Sequence, residues 1–433
     1  MRTPIVHEGV KYLEYEIRQI VEVAKTIEAL GVSMTWENIG DPIEMGEKVA
    51  PWIADTVSGL VLDSRSWAYC PTRGVQATRE FLAGEVNKRG GVRITPNDIL
   101  FVNGIADAVD KVYDMIRRDV RVIMPSPSYP THTSNEAKRS EYAKLLFHLD
   151  PRRGWQPDID DLRMKVKYNP QVAGIALVNP DNPTGIVYEE KMLREIVAIA
   201  RAFGLFVICD EIYAHICFNG RPAFHLSEYL GDVPGLALRG ISKEYPWPGA
   251  RCGWFEILNA DKDADFAVYT KGLLAAKMME VCATTLPQMS IPRIFGDPRY
   301  PAHLKRRAEM FAKRAEEAYS IFSPLSGTIV NRVQGAFYFT VVFEDGVLNE
   351  HQHLAIENPK VASLIEAIVK GVSNDKRLVY YLMGAAGICV TPLSGFHCSL
   401  PGFRITLLQT DDAKRRETFQ RIAGAIKAYL GSA

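Results

Sequence analysis

Short apolar runs that alternate with segments of helical periodicity constrain the fold of this chain most strongly. The runs are Ile99–Val102, Val120–Met124, Val172–Val178 and Leu205–Cys209. Each run stops at a polar or turn-forming residue, and a segment of helical periodicity follows the first run and the third run. Strands that are apolar throughout are buried on both faces, which requires helices on both sides of the sheet. We therefore predict an α/β fold with a mostly parallel central sheet covered by helices on both faces.

Four polar or aromatic residues lie at or just beyond the ends of these runs. They are Asn103, Tyr129, Asn182 and Asp210. Ligands of open α/β sheets bind at the carboxyl ends of the strands. We expect these four residues to meet in one binding site.

The length of 433 residues suggests two or three domains at a soft prior of ~150 residues each. An N-terminal helix is predicted over residues 10–30. After residue 300 a charged helix at Leu304–Tyr319 leads to a predicted strand at Gly335–Phe339. We predict a large domain over residues 45–300 and a smaller α+β domain formed by residues 1–44 and 301–433.

Charge and composition narrow the function. The chain has 51 basic and 51 acidic side chains, without the basic surplus of a nucleic-acid-binding protein. No apolar run reaches the length of a signal peptide or of a membrane span. Seven cysteines without a C-x-x-C pair predict reduced thiols rather than disulfides or a zinc site. We expect a cytoplasmic protein with a small-molecule partner, and no metal, nucleic-acid or membrane partner.

Lys243 is a candidate for covalent chemistry. It stands among small and ring residues, with Arg251 eight positions later. A desolvated lysine amine loses its charge and can attack a carbonyl, whereas arginine stays protonated and suits an anion. Taken alone, the stretch also fits a solvated surface lysine.

Asp210 directly follows an apolar run, so its carboxylate needs a partner. It could cap a helix, or it could pair with a protonated ring nitrogen of a cofactor, with Tyr213 near the ring hydroxyl. The turn at residues 179–185 contains two prolines and a terminal glycine. This turn either presents the Asn182 side-chain amide to a ligand or is only a rigid connection between a strand and a helix.

Two other strand ends suit a flat, phosphorylated ligand. The strand-to-helix junction at residues 103–107 offers free backbone amides to an anion. Tyr129 could stack on a planar ring, although a core tyrosine would look the same.

Three motifs together resemble the class I and II aminotransferases of the pyridoxal-phosphate fold type I superfamily. They are the Asn-Pro-Asp-Asn-Pro-Thr-Gly turn, the Asp-Glu-Ile-Tyr strand end and the segment from Ser242 to Arg251. The resemblance covers nearly the whole chain. It implies that Lys243 holds pyridoxal 5'-phosphate as a Schiff base and carries protons. It also implies further cofactor contacts: Asp210 to the ring nitrogen, Asn182 and Tyr213 to the ring hydroxyl, Tyr129 by stacking, and Ser242, Arg251 and the amides of Ile105 and Ala106 to the phosphate.

The same resemblance extends to partners and substrate. Tyr69 resembles a tyrosine that reaches the phosphate in the neighbouring subunit, which implies a homodimer. Arg404 resembles the arginine that binds the substrate α-carboxylate, with Asn182 and Gly40 also at the substrate. His132 matches a histidine that supports the pyridine-binding aspartate in aspartate aminotransferases.

Two features depart from the family pattern. Gly240 occupies a position that often carries a serine or threonine, which leaves Ser242 as the nearby hydroxyl. The Pro246-Trp247-Pro248 loop has more prolines than usual and could reshape the pocket beside the lysine.

The stretch Tyr15 to Arg18, the turn at residues 39–42 and the run Gly240 to Lys243 look most like the alanine aminotransferase branch. This implies transamination between an L-amino acid such as alanine or glutamate and 2-oxoglutarate or pyruvate, by a ping-pong mechanism. Alternatives are an aspartate or aromatic aminotransferase, a C–S lyase, a decarboxylase or a carbon–carbon bond-forming enzyme. A non-catalytic DNA-binding regulator is disfavoured, because the segment before Gly40 is too short for a winged-helix domain.

Overall fold

A computed structural model describes residues 2–13, 16–222 and 224–432 of the chain. The fourteen strands within these residues are β1 (Thr35–Trp36), β2 (Ile99–Val102), β3 (Arg121–Ser126), β4 (Leu146–Asp150), β5 (Gln156–Pro157), β6 (Val172–Val178), β7 (Phe206–Asp210), β8 (Gly235–Gly240), β9 (Gly253–Leu258), β10 (Thr328–Val330), β11 (Tyr338–Phe343), β12 (Ile388–Cys389), β13 (Thr391–Pro392) and β14 (Gly402–Thr406).

Eight of the strands form the central sheet, in the order β2-β9-β8-β7-β6-β3-β4-β5. The pairs β8–β7, β7–β6, β6–β3 and β3–β4 are parallel, while β9 runs antiparallel to both β2 and β8. Burial on both faces explains the apolar sequences, because every residue of β2 and β8 is buried. The predicted α/β fold with a mostly parallel central sheet is confirmed.

Thirteen α-helices are present in the described residues. They are α1 (Glu16–Ala29), α2 (Pro51–Val61), α3 (Gln76–Arg89), α4 (Ile105–Asp114), α5 (Pro130–Ser140), α6 (Ile159–Tyr168), α7 (Glu190–Phe203), α8 (Ala264–Met278), α9 (Thr285–Phe295), α10 (Tyr300–Phe322), α11 (Pro359–Ile368), α12 (Asn374–Ala386) and α13 (Asp412–Leu430). None of the helices found in the described residues has the length and apolar character needed to cross a membrane.

A second, antiparallel sheet lies in the C-terminal third, in the order β10-β11-β14-β13. The N-terminal segment joins this region, because β1 pairs in parallel with β12. The Thr406 amide donates to the Glu37 carbonyl oxygen at 2.9 Å. These bonds place the segment after Glu37 beside β14, the strand that carries Arg404.

Several boundaries differ from the sequence prediction. The strands β3 and β7 start and end one or two residues later than predicted, and β11 begins only at Tyr338 rather than at Gly335. The predicted helix over residues 10–30 is wrong at its start: a 3₁₀ turn at Glu8–Tyr12 precedes α1. Of the stretch from Tyr15 to Arg18, Tyr15 lies outside the described residues. The division into domains at residues 44 and 300 stays a prediction.

Candidate active site

A cavity of about 660 Å³ lies where the carboxyl ends of β2, β3, β6, β7 and β8 meet the N-terminal segment and β14. Parallel strands place their carboxyl ends at one edge of the sheet, which brings residues distant in sequence together. Most of the residues singled out from the sequence line this cavity: Gly40, Ile105, Ala106, Tyr129, Asn182, Asp210, Tyr213, Ser242, Lys243, Arg251 and Arg404.

Lys243 lies three residues past the end of β8, and its side chain lines the cavity. Its Nζ donates to the carbonyl oxygen of Gly40 at 2.7 Å and lies 5.8 Å from the ring centre of Phe337. Burial lowers the pKa of Lys243 to about 8, and Asp41 opposes this shift by attraction. A fraction of the amine is therefore uncharged near neutral pH, as a nucleophile or proton carrier requires.

Asp210, the last residue of β7, is buried and has a histidine beside it. Oδ2 of Asp210 lies 3.2 Å from Nε2 of His132, and Nδ1 of His132 lies 3.3 Å from the Tyr113 hydroxyl. The Ile212 amide donates to the other carboxylate oxygen at 3.1 Å. These hydrogen bonds orient the Asp210 carboxylate toward the cavity. The expected contact between His132 and Asp210 is present.

Asn182 sits in a turn that is braced by its own side chains. Oδ2 of Asp181 accepts from the Thr184 amide at 3.1 Å, and the Gly185 amide donates to the Asp181 carbonyl oxygen at 3.0 Å. Gly185 has φ +70°, and its Cα packs against the Tyr338 carbonyl, where a Cβ would lie only 2.3 Å away. The terminal glycine is thus needed for both the turn and its close packing.

Arg404 on β14 extends toward Asn182 from the opposite wall. Its Nη1 donates to Oδ1 of Asn182 at 3.3 Å, and its Nη2 donates to the Asn38 carbonyl oxygen and to Oγ1 of Thr391. The guanidinium lies 4.5 Å from the ring centre of Tyr338. Arg404 is thus a buried cation whose orientation is fixed by several hydrogen bonds.

The N-terminus of α4 and Arg251 also line the cavity. Gly104 precedes α4 with φ +85° and no side-chain cap, so the first amides of the helix, at Ile105 and Ala106, are available to an anion. A Cβ on Gly104 would lie 2.5 Å from Nη2 of Arg251. Only glycine at position 104 lets the guanidinium approach the helix end this closely.

Of the two departures from the family pattern, the one at Gly240 has a packing basis. A Cβ on Gly240 would lie 3.0 Å from both the Cys252 carbonyl oxygen and Cδ1 of Ile212, so there is little room for a serine or threonine. Ser242 is buried and lines the cavity instead. Pro248 also lines the cavity, and its carbonyl oxygen accepts from Nη1 of Arg251 at 2.9 Å.

Two other lysines that could replace Lys243 lie elsewhere. Lys277 is buried in an ion cluster, 2.6 Å from Oε2 of Glu280 and 3.7 Å from Oδ2 of Asp107. Lys271 is exposed on α8. Of these three lysines, only Lys243 lines the cavity that Asp210 and Arg404 also line.

Tyr338 was not identified from the sequence, although it touches several predicted residues. Its hydroxyl lies 2.9 Å from that of Tyr213. A Cβ on Gly40 would lie 2.5 Å from the Tyr338 hydroxyl, so Gly40 also makes room for this ring. Tyr338 lies in the part of the chain predicted as a strand, but its contact with Tyr213 carries no local sequence signal.

Tyr69 does not reach the cavity of its own chain. Its side chain is 84% exposed, just after a 3₁₀ turn at Ser64–Trp67. An exposed ring at this position is compatible with contact to a second subunit, and that role stays a prediction.

Residues 40–422 match the family model for aminotransferase class I and II. An uncharacterised aminotransferase of Methanocaldococcus jannaschii is 53% identical over 99% of this chain and 100% of its own length. The glutamate-pyruvate aminotransferase AlaA of Escherichia coli is 28% identical over 75% of this chain and 79% of its own.

Solved structures of low identity share the fold. An alanine aminotransferase from Pyrococcus furiosus superposes with a TM-score of 0.84 at 24% identity, over 98% of this chain and 99% of that one. An aminotransferase from Escherichia coli gives a TM-score of 0.84 at 23% identity, with 99% of both chains covered.

Proposed function

Because this chain belongs to the class I and II aminotransferases, we propose that it transfers an amino group between an L-amino acid and a 2-oxo acid with pyridoxal phosphate held at Lys243. One observation carries the assignment of the site. A half-buried lysine with a weakly basic amine shares a cavity with a buried carboxylate at Asp210 and a buried guanidinium at Arg404. Packing alone would not favour collecting these charges in one place.

The residues fit the proposed cofactor at three points. The uncapped start of α4 and the guanidinium of Arg251 suit a phosphate, and Gly104 lets the guanidinium lie close to the helix end. Asp210 suits a protonated ring nitrogen, and Asn182 and Tyr213 suit a ring oxygen. The chemistry of these groups supports pyridoxal phosphate as the cofactor that the family implies.

Bound pyridoxal phosphate would supply an electron sink for the charge that develops on the substrate Cα. The amine of Lys243 would take the proton from Cα and return it, because its lowered pKa of about 8 lies close to neutral pH. Arg404 would bind the substrate α-carboxylate as a bidentate pair. Burial raises the pKa of Tyr213 well above its usual range, so its hydroxyl stays protonated and donates.

We propose alanine and glutamate as amino donors, with pyruvate and 2-oxoglutarate as acceptors. The Escherichia coli relative is a glutamate-pyruvate aminotransferase, which supports this choice. The cavity wall combines apolar residues that suit a methyl group, such as Ile39, with two cations of α1, Arg18 and Lys25, that suit a second carboxylate.

We further propose a cytoplasmic homodimer. The seven cysteines are free, as in a reducing compartment. Large apolar side chains are exposed around Tyr69, including Leu62 and Trp67, and the end of α8 exposes Met278 and Met279. Exposed apolar clusters of this kind mark subunit contacts.

The test is an absorbance spectrum of the purified chain with added pyridoxal phosphate, followed by a screen of amino donors with 2-oxoglutarate. We expect a yellow protein that forms glutamate from 2-oxoglutarate and shows parallel double-reciprocal lines. A chain that stays colourless would contradict the cofactor assignment. Release of a sulfur product or of CO₂ without glutamate would favour a C–S lyase or a decarboxylase.

A further inference from the structure

Hydrogen bonds hold Lys243 both at its side-chain amine and at its main-chain carbonyl. Its Nζ donates to the Gly40 carbonyl oxygen at 2.7 Å. Its own main-chain carbonyl accepts from Nη1 of Arg307 at 2.6 Å, and the same nitrogen donates to the Glu244 carbonyl oxygen at 2.7 Å. Arg307 on α10 therefore binds two successive carbonyls of the segment from which the reactive amine projects.

Arg307 is itself fixed in place. It is 3% exposed, and its Nε and Nη2 bind the two carboxylate oxygens of Glu47 at 2.6 and 3.0 Å. A bidentate guanidinium–carboxylate pair has a defined geometry as well as a favourable energy. A buried cation is tolerated only when its donors are satisfied, and here each nitrogen of the guanidinium has an acceptor.

Glu47 and Gly40 belong to one compact turn, residues 40–47, which we call the 40–47 turn. Oδ1 of Asp41 accepts from the amides of Ile43 and Glu44 at 2.9 and 3.3 Å, and the Glu47 amide donates to the Pro42 carbonyl oxygen at 2.8 Å. The 40–47 turn thus binds the amine of Lys243 directly and its main chain through Arg307.

We infer that Arg307, anchored by Glu47, is a positioning residue for Lys243: it sets the lysine main chain relative to the Gly40 carbonyl, so that the amine is held in the cavity. Arg307 touches neither the amine nor the cavity and acts only through this main chain. The inference rests on the proposed function, because it takes Lys243 as the reactive amine.

The test measures the reactivity of Lys243 as a function of pH. The full chain, freed of cofactor, is incubated with pyridoxal phosphate between about pH 6 and pH 10 and reduced with borohydride, and labelled Lys243 is quantified by peptide mapping. For the unchanged chain we expect a midpoint near pH 8, which is the lowered pKa of Lys243. For Arg307→Gln we expect a midpoint about one unit higher and about tenfold slower labelling at neutral pH, because a mobile, hydrated amine keeps its proton.

The double variant Glu47→Gln/Arg307→Gln removes the pair without leaving a buried carboxylate unpaired, and serves if Arg307→Gln alone does not fold. Lys305→Gln is the matched control, since it removes an exposed cation from the same helix. The control should keep the midpoint of the unchanged chain.

A folded double variant with an unchanged midpoint would overturn the inference, even if less protein were labelled, because a purely structural role lowers the amplitude alone. Absence of labelling at Lys243 in the unchanged chain would overturn the proposed function and this inference with it. A raised midpoint confined to the Arg307 variants would support it.

Discussion

At the scale of single residues, burial of the Lys243 amine destabilises the folded chain. Its pKa of about 8 in the folded chain lies below the usual value of 10.5, chiefly because burial disfavours the charge. The folded chain therefore binds its proton less tightly than the unfolded chain does. The protonated amine destabilises the fold fully below about pH 8, and this effect disappears as the pH rises toward about 10.5.

We accordingly expect Lys243→Met to stabilise the cofactor-free chain near neutral pH, by about 1 to 3 kcal/mol, and to have little effect above about pH 11. Urea unfolding of both proteins at the two pH values measures the difference. Lys271→Met, at an exposed lysine of α8, is the control and should show no such dependence on pH. Equal stability of the two chains at neutral pH would contradict the lowered pKa.

Arg18 provides a residue-scale test of substrate choice. It lies on α1 at the cavity, as does Lys25, but Lys25 already has Glu22 at 3.1 Å. If Arg18 attracts the second carboxylate of a dicarboxylic substrate, Arg18→Ala should raise KM for 2-oxoglutarate by about tenfold and leave KM for pyruvate nearly unchanged. Steady-state kinetics with both acceptors decide this, with Gln19→Ala, an exposed position of α1 outside the cavity, as the control. An equal rise for both acceptors would argue against a role in side-chain recognition.

At the scale of elements, the junction between β2 and α4 offers main-chain amides to the proposed phosphate without using any side chain of the helix. Gly104 has a positive φ, and a Cβ there would approach Arg251 to 2.5 Å. Gly104→Ala should therefore weaken pyridoxal phosphate binding by about tenfold or more, through backbone strain and a displaced guanidinium. Equilibrium dialysis of the cofactor measures this effect.

Gly84→Ala is the matched control for this element. Gly84 lies inside α3 with nothing within 4 Å of the added Cβ, so alanine should stabilise the chain by about 0.5 to 1 kcal/mol and leave cofactor binding alone. Unchanged cofactor affinity in Gly104→Ala would show that the phosphate binds elsewhere.

At the scale of the whole molecule, the exposed Tyr69 predicts that each active site is completed by a second chain. Neither Lys243→Ala nor Tyr69→Ala should be fully active alone. In a mixed dimer of the two variants, one site would combine an intact Lys243 with an intact Tyr69 of the other chain. Random reassociation should then restore about a quarter of the activity of the unchanged enzyme.

Sedimentation of the unchanged chain should give twice the chain mass of 48.4 kDa. If Tyr69 instead acts within its own chain, every site of the mixed dimer carries one defect, and mixing restores nothing beyond the activity of the separate variants.

Local sequence determined much of the site. The apolar runs before Asn103, Asn182 and Asp210 are continuous strands, and strands β2 and β6 have the predicted bounds. Because parallel strands end at one edge of the sheet, residues that follow them had to lie close together. The residue types around Lys243 then restricted the chemistry.

Tertiary structure alone decided which distant groups meet. The contacts of Lys243 with Gly40 and of Arg307 with Lys243 span 203 and 64 residues, and the contact of Tyr213 with Tyr338 spans 125. The insertion of antiparallel β9 between β2 and β8 also has no local signature. Hydrophobic periodicity reports only which face of an element is buried. The contacts between distant residues depend on how separate elements pack, and the packing depends on the shapes and hydrogen bonds of both elements.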